Sequence, residues 1–150
     1  MLGRTYEDQN CSAARALEIV GERWSLLIIR DALFAGITRF ADFQRRLSVA
    51  PNVLATRLDS FVEHGLMERR QYSQHPEHYE YVLTDQGRDL QPVILALSRW
   101  GDRWVAPEGP PVLYVHSACD SRVEQLIHCS TCGEVSDPAD IGTRPGPGAS

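Results

Sequence analysis

The sequence predicts a mainly α fold of the α+β class, with one two-stranded β-hairpin placed before the last helix and a small cysteine-bearing tail after it. Three observations carry this reading. Apolar residues recur at three- and four-residue spacing in several separate stretches, the mark of amphipathic helices. Two short runs rich in β-forming residues, Leu66–Tyr72 and Tyr79–Leu83, flank the turn-rich Ser73–His78. Finally, 43% of the 150 residues are apolar and 23% charged, enough to bury one modest core.

Leu17, Val20, Trp24, Leu27 and Ile28 form one apolar helical face, and Gly21 breaks the run into two helices. After Gly36, Thr38 is placed as the N-cap of a short helix carrying Phe40, Phe43 and Leu47. Ser48–Pro51 reads as a turn, with Pro51 at a first helical position, where its missing N–H costs nothing. From Pro51 to about His64, Leu54, Leu58 and Phe61 point inward, leaving Asn52, Val53, Thr56, Arg57 and Ser60 elsewhere on the helix. Gly65 ends that helix, and the hairpin follows.

Thr84-Asp85-Gln86-Gly87 opens a last long helix, in which Leu90, Val93, Leu97, Trp100 and Trp104 repeat at heptad-like spacing and Pro92 introduces a kink. So long a stripe, on a domain whose core is already closed, predicts a homodimer interface; packing on its own domain is the alternative. Pro107, Pro110 and Pro111 mark a linker. The domain boundaries are therefore 1–106 for the main domain, 107–136 for the cysteine-bearing segment, and 137–150 for a Gly/Pro/Ala-rich tail expected to be disordered.

This order of elements is a winged helix-turn-helix. Its residues resemble the HxlR-type regulators, a bacterial family related to the MarR type. The resemblance runs through Cys11-Ser-Ala-Ala, Val20-Gly-Glu-Arg-Trp24-Ser-Leu-Leu-Ile-Ile-Arg-Asp31, Arg39-Phe40-Ala-Asp-Phe43-Gln-Arg, Leu54-Ala-Thr-Arg57-Leu58, Gly65-Leu66, Arg69, Tyr79-Glu80-Tyr81-Val-Leu83-Thr84 and Trp100-Gly101-Asp-Arg-Trp104. It covers about residues 11 to 105 and implies a dimeric transcriptional regulator, expected to be a repressor. Two recognition helices would enter neighbouring major grooves while the wings reach along the backbone or into the minor groove. Two positions depart from the pattern: Ser12 stands where the family often has Pro, and His78 where it often has a basic residue before the second wing strand.

The formal charge of −5 taken as a sum is unsuited to a polyanionic partner, but it is unevenly distributed. Residues 39–70 carry six Arg against four acids, for +2, whereas residues 71–150 carry five Arg against eleven acids, for −6. There is no lysine, which suits bidentate phosphate and guanine contacts but is explained more simply by a GC-rich genome. Asn52, Thr56 and Arg57 are the candidates for reading bases of a double-stranded DNA operator: Asn pairs with adenine, Arg with guanine, and a Thr methyl meets the thymine methyl. Arg57 has other possible roles, as a phosphate clamp or a partner of Asp59 or Glu63. Arg39, Arg45, Arg46, Ser48, Arg69 and Arg70 are the candidates for backbone contacts.

In the tail, His116-x-x-Cys119 and Cys129-x-x-Cys132-Gly133 have zinc-ribbon spacing, which makes His116, Cys119, Cys129 and Cys132 candidate ligands for a structural zinc. His128 competes as the nitrogen ligand, and a redox Cys129/Cys132 pair or plain free thiols are the alternatives. Cys11, at the start of the first helix, is a redox-sensing candidate because a helix N-terminus lowers a thiol pKa; the other reading is a small residue at the dimer edge. In some members of the resembled family the corresponding cysteine senses electrophiles or oxidants, and an oxidant or small-molecule effector is the expected signal.

No apolar run approaches the ~20 residues of a membrane span, and the polar start lacks a signal-peptide pattern, so the expected compartment is the cytoplasm. A non-enzymatic role is expected, because nucleophile-elbow, phosphate-loop and H-E-x-x-H motifs are missing from the sequence. The rival functions are a thiol-disulfide protein using Cys129/Cys132, which lacks the usual βαβ setting, and a winged-helix protein-interaction module.

Overall fold

The computed structural model describes residues 5–149; Met1 to Arg4, part of the polar start, and Ser150 lie outside the described residues. The chain divides into two compact units, residues 1–94 and 95–150. The first contains α1 (Ser12–Val20), α2 (Ser25–Phe34), α3 (Phe40–Leu47), α4 (Pro51–Glu63), β1 (Met67–Gln74), β2 (Glu77–Leu83), α5 (Asp85–Arg88) and the first turn of α6 (Gln91–Trp104). Its core draws Ile28 and Ile29 from α2, Phe43 from α3, and Leu54, Leu58 and Phe61 from α4, all fully buried. These are the inward positions of the helical periods, so burial of each apolar face is what packs the helices together.

The turn from α3 to α4 is set by backbone chemistry. Ser48 takes a left-handed conformation, φ 52°, and its N–H donates to the Gln44 carbonyl at 2.8 Å. Val49 is buried, and Pro51 occupies the first turn of α4. Thr38 is not the cap of α3: that position falls to Arg39, which makes no side-chain cap. Instead the Thr38 hydroxyl donates to Glu80 Oε2 at 2.9 Å, and the Tyr81 N–H donates to the Thr38 carbonyl at 2.7 Å. The segment before α3 thus pairs with the hairpin, a contact spanning 42 residues that no local pattern reveals.

The hairpin is antiparallel, pairing Met67 with Leu83, Arg69 with Tyr81 and Gln71 with Tyr79, with an irregularity at Tyr72. Its strands run further than the sequence predicts, leaving only His75-Pro76, a cis peptide, between them. Both faces of the outer hairpin are largely polar and exposed, so no alternation marked its length.

The last helix is broken rather than kinked: α5 stops at Arg88 and α6 starts at Gln91. Pro92 cannot donate to the Arg88 carbonyl and its ring would clash with it, which ends the first segment there. Thr84 caps α5, accepting from the Gly87 N–H at 3.2 Å while donating to the Gly65 carbonyl at 2.5 Å. Gly87 is required by close approach, since a Cβ there would lie 2.2 Å from the Leu66 carbonyl oxygen.

The second unit contains the rest of α6, a Val115–Arg122 bridge, the two-residue strands β3 (His128–Cys129) and β4 (Gly133–Glu134), and a 3-10 turn at Pro138–Asp140. No described residue from 95 onward is buried. The segment expected to be disordered contains that turn, where the Ala139 N–H donates to Asp137 Oδ1, and a second one closed by the Ala149 N–H donating to the Gly146 carbonyl at 3.0 Å; its described residues are all exposed.

Candidate nucleic-acid interface

Helix α4 has two unlike faces. Leu54, Leu58 and Phe61 are fully buried, whereas Asn52 and Thr56, one turn apart, are exposed. The Thr56 hydroxyl donates to the Asn52 carbonyl at 2.8 Å, which commits its proton to the helix and leaves the methyl and an acceptor oxygen for contacts. Arg57 is placed differently: its side chain is 17% exposed and pairs with Glu22 Oε2 at 3.8 Å, not with Asp59 or Glu63. Glu22 lies just before α2 and its other contact is with the Trp24 N–H, so the pair ties α4 to the start of α2.

The arginines around this helix fall into two groups. Arg46 is an anchor for structure: it pairs with Asp31 on α2, a carboxylate 1% exposed that also binds Arg30 at 2.9 Å. Arg45 pairs with Asp42, and Arg70 with Glu68 at 2.9 Å, on exposed surface where such pairs exchange readily for other anions. Arg39 and Arg69 have no carboxylate partner among the described residues. Arg39 lies over the Tyr72 ring at 4.1 Å and Arg69 over the Tyr79 ring at 3.8 Å. An aromatic face holds a guanidinium in place without neutralising it, leaving its N–H edge for a phosphate. His78 stacks on the other wing aromatic contact, with its ring centroid 5.6 Å from that of Tyr72, so the wing presents Arg39, Tyr72 and His78 as linked rings and planes. Ser48 is exposed at the turn before α4.

Sequence reasoning missed Glu22, Asp31, Tyr72 and Tyr79. The acids carry no local signal of these roles, because Arg57 stands 35 residues from Glu22 and Arg46 stands 15 from Asp31, whose neighbour Arg30 says nothing of a link to α3. The tyrosines are legible only as strand formers: the Tyr79 contact with Arg69 depends on the hairpin register, and the Tyr72 contact with Arg39 on the wing meeting the segment before α3.

Among the proposed interface residues of α6, Val93, Leu97, Trp100 and Trp104 are exposed, the last two at 60% and 63%. Leu90 differs, being half-buried against the core of the first unit. Cys11 is the exposed N-cap residue of α1, and its thiol is held below the ordinary value by the backbone N–H groups of Ala14 and Ala13 and by the charge of Arg15. In the tail, Ser121 lowers the Cys119 thiol, and the N–H groups of Cys132 and Thr131 lower that of Cys129. The four predicted metal ligands form two separate pairs: among the described residues no group of three or more His, Cys, Asp or Glu side chains is positioned to hold a metal ion.

A three-helix core, a turn-linked α4 with a polar outer face, and an arginine-bearing wing define a winged-helix DNA-binding protein. The chain belongs to the HxlR-like helix-turn-helix family, whose profile matches residues 19–109. A relative in Mycobacterium tuberculosis, the uncharacterized HTH-type transcriptional regulator Rv3095, is 44% identical over 91% of this chain and 87% of its own length. The crystal structure of PA1607, a candidate transcription factor, superposes with a TM-score of 0.80 at 35% identity, covering 93% of this chain and 98% of that one. The reduced form of the redox regulator HypR aligns with a TM-score of 0.55 at 29% identity, over 62% of this chain and 92% of its own. The protein is thus a helix-turn-helix transcriptional regulator with DNA as its partner, of a fold and kinship that are regulatory rather than catalytic. No helix among the described residues is long and apolar enough to cross a membrane.

Proposed function

We propose that the protein acts as a homodimeric, sequence-specific repressor that occupies its operator through α4 of each copy. The observation that carries this reading is the contrast on α4 itself: a fully buried inner face fixes the helix, while Asn52 and Thr56 project short polar groups from the face opposite the core. Asn52 reads adenine through its amide and Thr56 meets a thymine methyl. Arg57 orients the helix through Glu22 and reaches guanine only by giving up that pair. Arg39 and Arg69 hold phosphates, with Ser48, Arg45 and Arg70 as further backbone contacts and Arg46 confined by Asp31.

Dimerisation is assigned to the exposed stripe Val93, Leu97, Trp100 and Trp104, because large exposed aromatics along one helix favour a partner surface. Control by oxidants is assigned to Cys11, on its exposure, its lowered thiol pKa and the naming of HypR as a redox regulator. The test is anisotropy titration of genomic fragments selected by the protein, against scrambled controls and across salt. Asn52→Ala should lower operator affinity by about 1–3 kcal/mol and narrow the preference over scrambled DNA by the same amount. Binding that is indifferent to sequence, or unchanged by that substitution, overturns the reading. A reporter placed behind the selected fragment tests repression, and peroxide treatment of wild type and Cys11→Ser tests the sensor.

A further inference from the structure

Two turns of the tail are built to one plan. His116 and Cys119 sit at the tip of a turn closed by the Val115–Arg122 bridge, where the His116 carbonyl accepts from the N–H groups of Cys119 and Asp120 at 3.2 and 2.8 Å. Asp120 then takes φ 58°. Cys129 and Cys132 sit at the turn between β3 and β4, and Gly133 then takes φ 90°. In both, donor residues stand three apart and a left-handed residue follows, so the two side chains of each pair point the same way. His116 Nδ1 lies 3.4 Å from Cys119 Sγ. Backbone N–H groups reach the sulfur of Cys119 from Ser121, and that of Cys129 from Thr131 and Cys132.

We propose that this tail binds one soft divalent cation, zinc, through His116, Cys119, Cys129 and Cys132, and that the ion draws the two turns together. Thiol redox chemistry alone uses the cysteines but leaves His116, set against Cys119 in the first turn, without a role, because histidine cannot enter a disulfide. One imidazole and three thiolates use both and fill a tetrahedral shell, with the three thiol protons released to solvent. The second observation is the missing core: no described residue from 95 onward is buried, and Val123, Leu126 and Ile127 stand exposed between the two pairs. A segment so short needs a cross-link to hold one arrangement. The pairs stand apart, and the nine residues 120–128 connecting them allow closure. A full shell leaves no position for an activated water, so the ion is structural.

This inference is independent of the DNA-binding reading and is tested on the full chain. Protein stripped of metal under reducing conditions is titrated with zinc and followed by native mass spectrometry, with alkylation to count free thiols. One zinc per chain is expected, with Cys119, Cys129 and Cys132 protected and Cys11 still reactive. His116→Ala and Cys129→Ser should each weaken zinc binding by about 100-fold or more. Circular dichroism of the helices and DNA binding serve as the folding control for both variants. Zinc bound as tightly by His116→Ala as by wild type overturns the proposal. So does a failure to bind zinc in equal stoichiometry, with peroxide instead linking Cys129 to Cys132 alike in wild type and His116→Ala.

Discussion

Asp31 shows how much a single side chain organises here. Its carboxylate is 1% exposed and accepts from Arg30 on its own helix and Arg46 on α3, so one buried charge joins two helices of the core. Asp31→Ala would remove the buried acid that both arginines share and with it the link between α2 and α3, and it should cost about 1–3 kcal/mol in urea denaturation. Arg69 has the opposite character: it touches an aromatic ring and no acid, so Arg69→Ala should leave stability nearly unchanged. It should weaken all DNA sequences alike and reduce the logarithmic salt slope by about one, which titrations at several salt concentrations would measure. Cys11 belongs to this scale as well. Because its thiol pKa is lowered, a larger fraction is thiolate at neutral pH than for an ordinary cysteine, so alkylation should be faster at Cys11 than at the same cysteine in the urea-unfolded chain.

At the scale of elements, α3 and α4 follow from their apolar periods, because Leu54, Leu58 and Phe61 or Phe40 and Phe43 need only their own neighbours to declare a face, whereas Leu17, on the expected inward face of the first helix, is exposed. What the sequence concealed was long-range. Thr38 has the spacing of a cap but serves the wing, Arg57 has Asp59 and Glu63 as neighbouring acids on its helix but pairs with Glu22, and the wing's polar strands carry no alternation to fix their ends. The candidate site was therefore legible as a list of outward residues and not as a set of partnerships. The α5–α6 break is half legible: Pro92 marks an irregularity, but its extent, with α5 ending at Arg88 and Gly87 packed against the Leu66 carbonyl, depends on contacts across 21 residues of chain. That last contact gives a direct prediction. Gly87→Ala puts a methyl into the Leu66 carbonyl and should destabilise the domain by about 1–3 kcal/mol, seen as a lower midpoint in thermal unfolding.

For the whole molecule, charge and exposed apolar surface point to two partners. The chain is net acidic, yet the segment from 39 to 70 is basic, so attraction to DNA is local and should fade steeply with salt. The proposed dimer rests on Trp100 and Trp104, exposed on α6: light scattering should give a dimer at micromolar concentration, and Trp100→Glu a monomer with much weaker operator binding. The most direct test of the central claim is footprinting on the operator selected from genomic DNA, comparing wild type with Asn52→Ala and Thr56→Ala. Wild type should give two protected half-sites about one helical turn apart, and each variant, still folded, should need roughly ten- to a hundredfold more protein for the same protection. A single unpaired footprint, or protection by both variants at the wild-type concentration, would contradict this.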